Sequence, residues 1–229
     1  MFCFSFPHTP YIAILGDIIG SKKIKDRKAV QKKLSAVLDD INKGYGEQIA
    51  SRFMITLGDE FQGLLRAGTH TMEIAEKIER KMHPIEIRFG IGVGSIATDI
   101  NPNLPLGADG PAYYNARKMI DEIKAAEKKK MESKLNMKIE IQDYAAISEL
   151  INTVLSLNTV LKTKWTERQR EVIDIYLECN GTQSDVAQKL GIHQSNVQKA
   201  LAYSNFYTYK RALDTITKIL SDIKEKSDV

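Results

Sequence analysis

The stretch FMITLGDEFQGLL spans Phe53–Leu65, and its reading decides the fold. An apolar run stops at Gly58, Asp59 and Glu60 follow, and a second apolar run begins at once. Two strands joined by so short a turn read as an antiparallel hairpin, Ile49–Leu57 and Glu60–Leu65. Carboxylates beside a core are costly unless something pairs with them. The tip therefore stands in water or faces a cation.

Working outward, YIAIL (Tyr11–Leu15) is an apolar run without alternation and reads as a central strand buried on both faces. Asp17 follows just past its end. Lys25–Asn42 carries Val30, Leu34, Val37, Leu38 and Ile41 at helical spacing, with Gly44 and Gly46 to end it. Beyond the hairpin, Thr71–Met82 reads as a helix, the alternating IEIRFGIGV (Ile85–Val93) as a strand, Pro111–Lys130 as a long helix and MKIEI (Met137–Ile141) as a strand. The order βαββαβ, then αβ, implies an α+β class and a mixed sheet with helices on one face. It resembles the ferredoxin-like palm. After Asp143 the pattern is helical only, which predicts two units, 1–143 and 144–229. In the second, Asn152–Leu161 reads as a linker helix and Thr166 as the N-cap of Glu167–Leu177.

The 229 residues suit one large domain or two small ones, and 43% hydrophobic residues supply a core. The net charge of +4 is thinly spread: residues 144–229 hold 11 Lys and Arg against 10 Asp and Glu. A nonspecific nucleic-acid binder would be more basic, so any DNA contact must come from a local face. Two cysteines exclude a disulfide framework. The apolar start lacks a basic region and is broken by His8 and Pro10, and no 18-residue apolar run exists, so a cytoplasmic protein is expected.

In a palm, Asp17 and Asp59 lie on neighbouring elements, and their carboxylates converge on one edge. Mg²⁺ takes oxygen ligands and needs only one or two carboxylates besides substrate phosphates. Singly, Asp17 also reads as a helix cap and Asp59 as a turn residue. Together, in this order, they read best as ligands of Mg²⁺ or Mn²⁺.

GDIIGS (Gly16–Ser21) resembles the first metal motif of class III nucleotidyl cyclases, and TLGDEF (Thr56–Phe61) the hairpin of those enzymes and of GGDEF diguanylate cyclases. Ile87–Gly94 resembles their next strand. Residues 11–142, with LGADGPAYYNARKMI (Leu106–Ile120), resemble the SatD family. The cyclase resemblance implies metal ligation by Asp17 and Asp59, aided by the Ile18 carbonyl, with Glu60 as a second acid. Gly20, Ser21 and Lys22 would then cradle phosphates. Leu57 replaces the first Gly of GGDEF, and Ile55 stands where cyclases carry a base-reading Lys. Tyr114 and Lys118 occupy the places of their Asn and Arg. Asn115 and Arg117 are each one residue away, a turn of about 100° on a helix. Glu60 and Lys118 are the candidate catalytic groups, and Asn115 and Arg117 candidate nucleotide contacts. A cyclase-type site between two palms would require a homodimer.

SDVAQKLGIHQSNVQKA (Ser184–Ala200) has helix-turn-helix spacing, with Ala187 at the crossing, Gly191 in the turn and Val197 packing back. The segment resembles the LuxR-type and sigma-region-4 motif. Gln194, Ser195, Asn196, Gln198 and Lys199 are the candidate DNA contacts. Packing or dimerisation of a helical hairpin is the alternative. After Ala202 one more amphipathic helix is expected. The first reading is thus a nucleotide-responsive DNA-binding regulator, and the second a nucleotidyl cyclase or nucleotidyltransferase.

Overall fold

The computed structural model describes residues 4–129, 135–179 and 182–223. Within them lie β1 (Tyr11–Ile18), α1 (Arg27–Gly44), β2 (Ile49–Leu57), β3 (Glu60–Leu65), α2 (Thr71–Met82), β4 (Ile87–Gly94), α3 (Pro111–Lys129) and β5 (Met137–Ile141). Five further helices follow: α4 (Ala145–Thr163), α5 (Glu167–Cys179), α6 (Gln183–Leu190), α7 (Gln194–Tyr203) and α8 (Phe206–Ser221). The sheet order is β2-β3-β1-β4-β5, antiparallel except where β5 runs parallel to β4. A palm-like α+β layout is therefore present, and the expected end of α3 at Lys130 lies outside the described residues.

The apolar run of β1 serves both faces of the sheet. Ile12 and Ile14 pack with Leu34, Leu38 and Ile41 of α1 and Ile74 and Ile78 of α2. Ala13 and Leu15 face the other way, onto Ala112, Ala116 and Ile120 of α3. The expectation of helices on one face is thus corrected: α3 covers the opposite face. The reason is in β4, where a Cβ on Gly90 or Gly92 would lie 2.1 Å from the Ala116 or Ala112 carbonyl oxygen. From Gly90 to Gly94 every second residue of that strand is a glycine, and the helix backbone settles directly onto it.

A second correction concerns β1 itself. Asp17 lies inside the strand, not past its end, because the ladder with β3 reaches Asp17 and that with β4 reaches Ile18. The cap of α1 is Asp26, which accepts from the Ala29 N–H at 2.9 Å. The expected linker helix is longer than its apolar part, running Ala145–Thr163. Its Asn152 exchanges hydrogen bonds with the Ile139 N–H and C=O at 2.7 and 2.9 Å, covering the outer edge of β5.

The later helices pack on the palm through one continuous apolar cluster that includes Leu155, Trp165, Leu213 and Leu220. Thr166 caps α5, its hydroxyl accepting from the Gln169 N–H at 3.2 Å. Thr182 and Asp185 form a capping box at α6. Gly191, at φ 63°, makes the turn into α7, and Val186, Ala187, Val197 and Leu201 are buried between the helices. At the seam with the palm, Glu76 of α2 accepts a hydrogen bond from the Tyr209 hydroxyl. Its Oε1 is buried without a partner among the described residues.

Gly92→Ala should lower unfolding free energy by about 1–3 kcal/mol in urea, since a rigid helix backbone must move. Burial raises the Glu76 carboxyl above its ordinary value, against the opposing pull of Arg80 and Tyr209. The folded chain thus favours the neutral acid. Its contribution to stability is complete below the unfolded value and falls as pH rises through the raised folded one. Glu76→Gln should therefore flatten that fall, seen as unfolding midpoints that diverge from wild type with rising pH.

Candidate functional site

The register of β1 brings its acid to a shared end with the hairpin. Asp17 is opposite Glu60 of β3 on one side and Arg88 of β4 on the other. The Ile18 N–H donates to the Asp59 carbonyl at 3.2 Å, so the hairpin tip is tied to the end of β1. Alternation along the strands points Asp17, Glu60 and Arg88 to the α3 face, and α3 answers with Arg117, Lys124 and Glu127. Spacings of seven and three residues place those three on one side of a helix.

The result is a charge-balanced cluster. Arg88 donates Nη1 to Asp17 at 2.5 Å, and Nε and Nη2 to the two oxygens of Glu127 at 2.8 and 2.6 Å. Lys124 Nζ lies 3.3 Å from Asp17 and 3.8 Å from Glu60. Arg117 donates to Glu60 at 3.0 Å. Burial works against the charge on Arg88, yet its bonds to Glu127 and Asp17 raise its pKa above the arginine value. The Asp17 and Arg88 side chains are 9% and 12% exposed, so this pair is shielded from solvent. Lys124 and Arg117, at 35% and 45%, remain reachable.

The other expected residues fall into two sets. Asp59 sits at the hairpin tip, and Glu60 and Arg117 are joined at the same end. Gly20 takes a left-handed conformation at φ 66°, Ser21 is buried, and Lys22 is exposed, just beyond β1. Asn115 is drawn away: its amide donates to the Val93 carbonyl at 3.0 Å and anchors α3 to β4. Lys118 pairs with Glu140 of β5 at 3.1 Å, not with the acids at the β1 end. Tyr113 is buried, and Tyr114 is exposed with its hydroxyl donating to Asp109. In the tail, Gln194, Ser195, Asn196, Gln198 and Lys199 all lie exposed on α7. Arg88, Lys124 and Glu127 were not anticipated, although the helical spacing from Arg117 carried a signal.

The donor set at the β1 end suits a hard cation, since carboxylate oxygens are its only acidic groups. Asp59 has no hydrogen bond or ion pair from its side chain among the described residues. Asp17 and Glu60, by contrast, already share Lys124. Among the described residues no three His, Cys, Asp or Glu side chains are gathered to hold an ion. Asp59 and Asp17 would be the residues to hold a metal ion at this end, where Arg88 and Lys124 both lie against Asp17 Oδ2.

A palm-like domain with an acidic end, followed by helices, is the class of protein in view. The chain belongs to the SatD family, whose description matches residues 11–220. No curated protein matches it. Among solved structures, it is similar to the catalytic core of a rhodopsin-guanylyl cyclase with converted specificity in complex with ATPαS. Identity is 18% over 62% of this chain and 81% of that one, with TM-score 0.42. A bacterial light-regulated adenylyl cyclase is 14% identical over 57% of this chain and 75% of that one, with TM-score 0.40. The guanylate cyclase domain of RhGC from Catenaria anguillulae in complex with GTP is 19% identical over 49% and 72%, with TM-score 0.34. No described helix is long and apolar enough to cross a membrane.

The shielded pair sets the prediction for this site. Arg88→Met strands Asp17 with only Lys124 and should cost about 3–5 kcal/mol in unfolding free energy. Asp17→Asn together with Arg88→Met should cost clearly less than the sum of the two single changes. Additive costs in urea unfolding would show that the two groups do not depend on each other.

Proposed function

We propose that the palm takes a nucleotide at the end of β1 and performs nucleotidyl transfer or cyclisation there. The observation that supports this reading most is the joining of Asp17 and Glu60 on two hydrogen-bonded strands, with Asp59 on the adjoining turn, beside reachable cations. Asp17 and Asp59 would hold Mg²⁺ or Mn²⁺, with the Ile18 carbonyl nearby. When bound, such an ion supplies a Lewis acid at the phosphate undergoing attack. Lys124 keeps the carboxylates neutralised in the ion's absence and is freed toward the phosphates when they are taken up. Arg117 and Lys22 add positive charge for the same phosphates, with Gly20 and Ser21 shaping the turn behind them. Glu60, held by Arg117, is the candidate acceptor of the attacking hydroxyl's proton. Asn115 and Lys118 have structural partners and drop to lesser candidates. A homodimer that completes the site belongs to the same proposal.

One observation favours a second reading, in which the tail (residues 144–229) binds DNA as a helix-turn-helix and the palm (1–143) regulates it. The turn at Gly191 and the burial of Val197 and Leu201 leave the five predicted contacts of α7 facing solvent together. A ligand in the palm would control such binding only by favouring one arrangement of the two units. The two readings are compatible, and the enzymatic one comes first.

Incubation with each nucleoside triphosphate and Mg²⁺ or Mn²⁺, followed by product analysis, tests the first. A cyclic or oligomeric product, reduced at least a hundredfold in Asp59→Ala, is expected. Neither product nor metal-dependent nucleotide binding would overturn it. For the second, selection from random duplex DNA should yield a preferred site that Asn196→Ala or Lys199→Ala binds roughly tenfold more weakly. Unchanged affinity in both variants would remove α7 as the reading element.

A further inference from the structure

A cavity of about 420 Å³ lies at the seam between the palm and the tail helices. Its size falls in the roughly 300–1,000 Å³ range of small-molecule sites, which favour such seams. Its walls are Ile85, Ile87, Leu135 and Trp165 on the apolar side, with Arg80 and Arg170 among the polar groups. The acids of the wall are already engaged. Glu79 accepts Lys162 at 2.7 Å on both oxygens, and Asn136 as well. Glu127 holds Arg88, and Glu86 has a partner of its own. The two guanidinium groups are less satisfied. Arg80 gives Nη1 to Asp174 at 3.0 Å, but its buried Nε has no acceptor among the described residues. Arg170 donates Nη2 to the Lys162 carbonyl and lies over the Trp165 ring at 5.7 Å. Among the described residues it has no carboxylate within ion-pair distance.

From this imbalance we infer that the seam cavity binds a small aromatic anion: a planar apolar body against Trp165 and Ile85, with one anionic group on Arg170. A guanidinium offers a planar fork to carboxylate, sulfonate or phosphate oxygens and stacks on aromatic faces at the same time. An occupant would touch α2 and β4 of the palm and α4 and α5 of the tail together, so it would bind as an effector that ties the two. The cavity adjoins the cluster at the end of β1 through Glu127, but the anion's place on Arg170 stands whether or not that end is catalytic.

The test uses the full chain and 1-anilinonaphthalene-8-sulfonate as probe, read through Trp165, the only tryptophan in the sequence. One probe per chain should bind saturably, quench Trp165 and gain its own emission by energy transfer. N-phenyl-1-naphthylamine, the same body without the sulfonate, should bind at least tenfold more weakly. Arg170→Gln should weaken the sulfonate at least tenfold and leave the neutral compound unchanged. Thr163→Phe, at the exposed rim, should block both. No saturable binding, or equal binding of the charged and neutral probes to the wild-type chain, overturns the inference. That comparison holds even if the Arg170 variant fails to fold.

Discussion

The Arg88 guanidinium is the group on which the arrangement of the palm's acidic end depends. It stands between the carboxylate of the central strand and that of the helix laid across it, and solvent barely reaches it. Removing either acid leaves a buried cation short of a partner, and removing the cation leaves two acids facing each other. The pairing joins β1, β4 and α3 at one end of the sheet. The glycines of β4 make the pairing possible by bringing the helix backbone against the sheet.

The same cluster explains how an acidic end can exist in the absence of a bound ion. Lys124 lies between Asp17 and Glu60 and supplies the positive charge they require. It is the most easily exchanged of the three cations, since its side chain is a flexible point charge and is more exposed than Arg88. In the function proposed, it is the cation that would move toward an incoming phosphate. Asp59, on the turn and without a side-chain partner among the described residues, is the acid that such an exchange would engage first.

Much of the fold is legible in the sequence because it rests on local signals. The hairpin shows in the short turn between two apolar runs, α1 and α2 in their 3.6-residue periodicity, and the turn before α7 in Gly191. The side of the sheet taken by α3 is not local, because it depends on what fits against β4. The alternate glycines Gly90, Gly92 and Gly94 carry that information only when read as a face awaiting a backbone. The acids Asp17 and Asp59 stand out because an acid beside an apolar run is rare. Their counter-charges do not, since Arg88 and Asp17 are 71 residues apart and Arg88 and Glu127 39 apart. Asn115 is the reverse case: its polarity suggests a ligand contact, but its amide goes to the Val93 carbonyl, which also accepts the Gln142 N–H.

The most direct test of the account is a crystal structure of the full chain grown with Mn²⁺ and a non-hydrolysable nucleoside triphosphate, with the anomalous signal of manganese recorded. The account predicts a manganese peak between the Asp17 and Asp59 carboxylates, with Lys124 turned from Asp17 to the phosphates. A nucleotide bound elsewhere, with Lys124 still paired to Asp17 and Glu60, would contradict it.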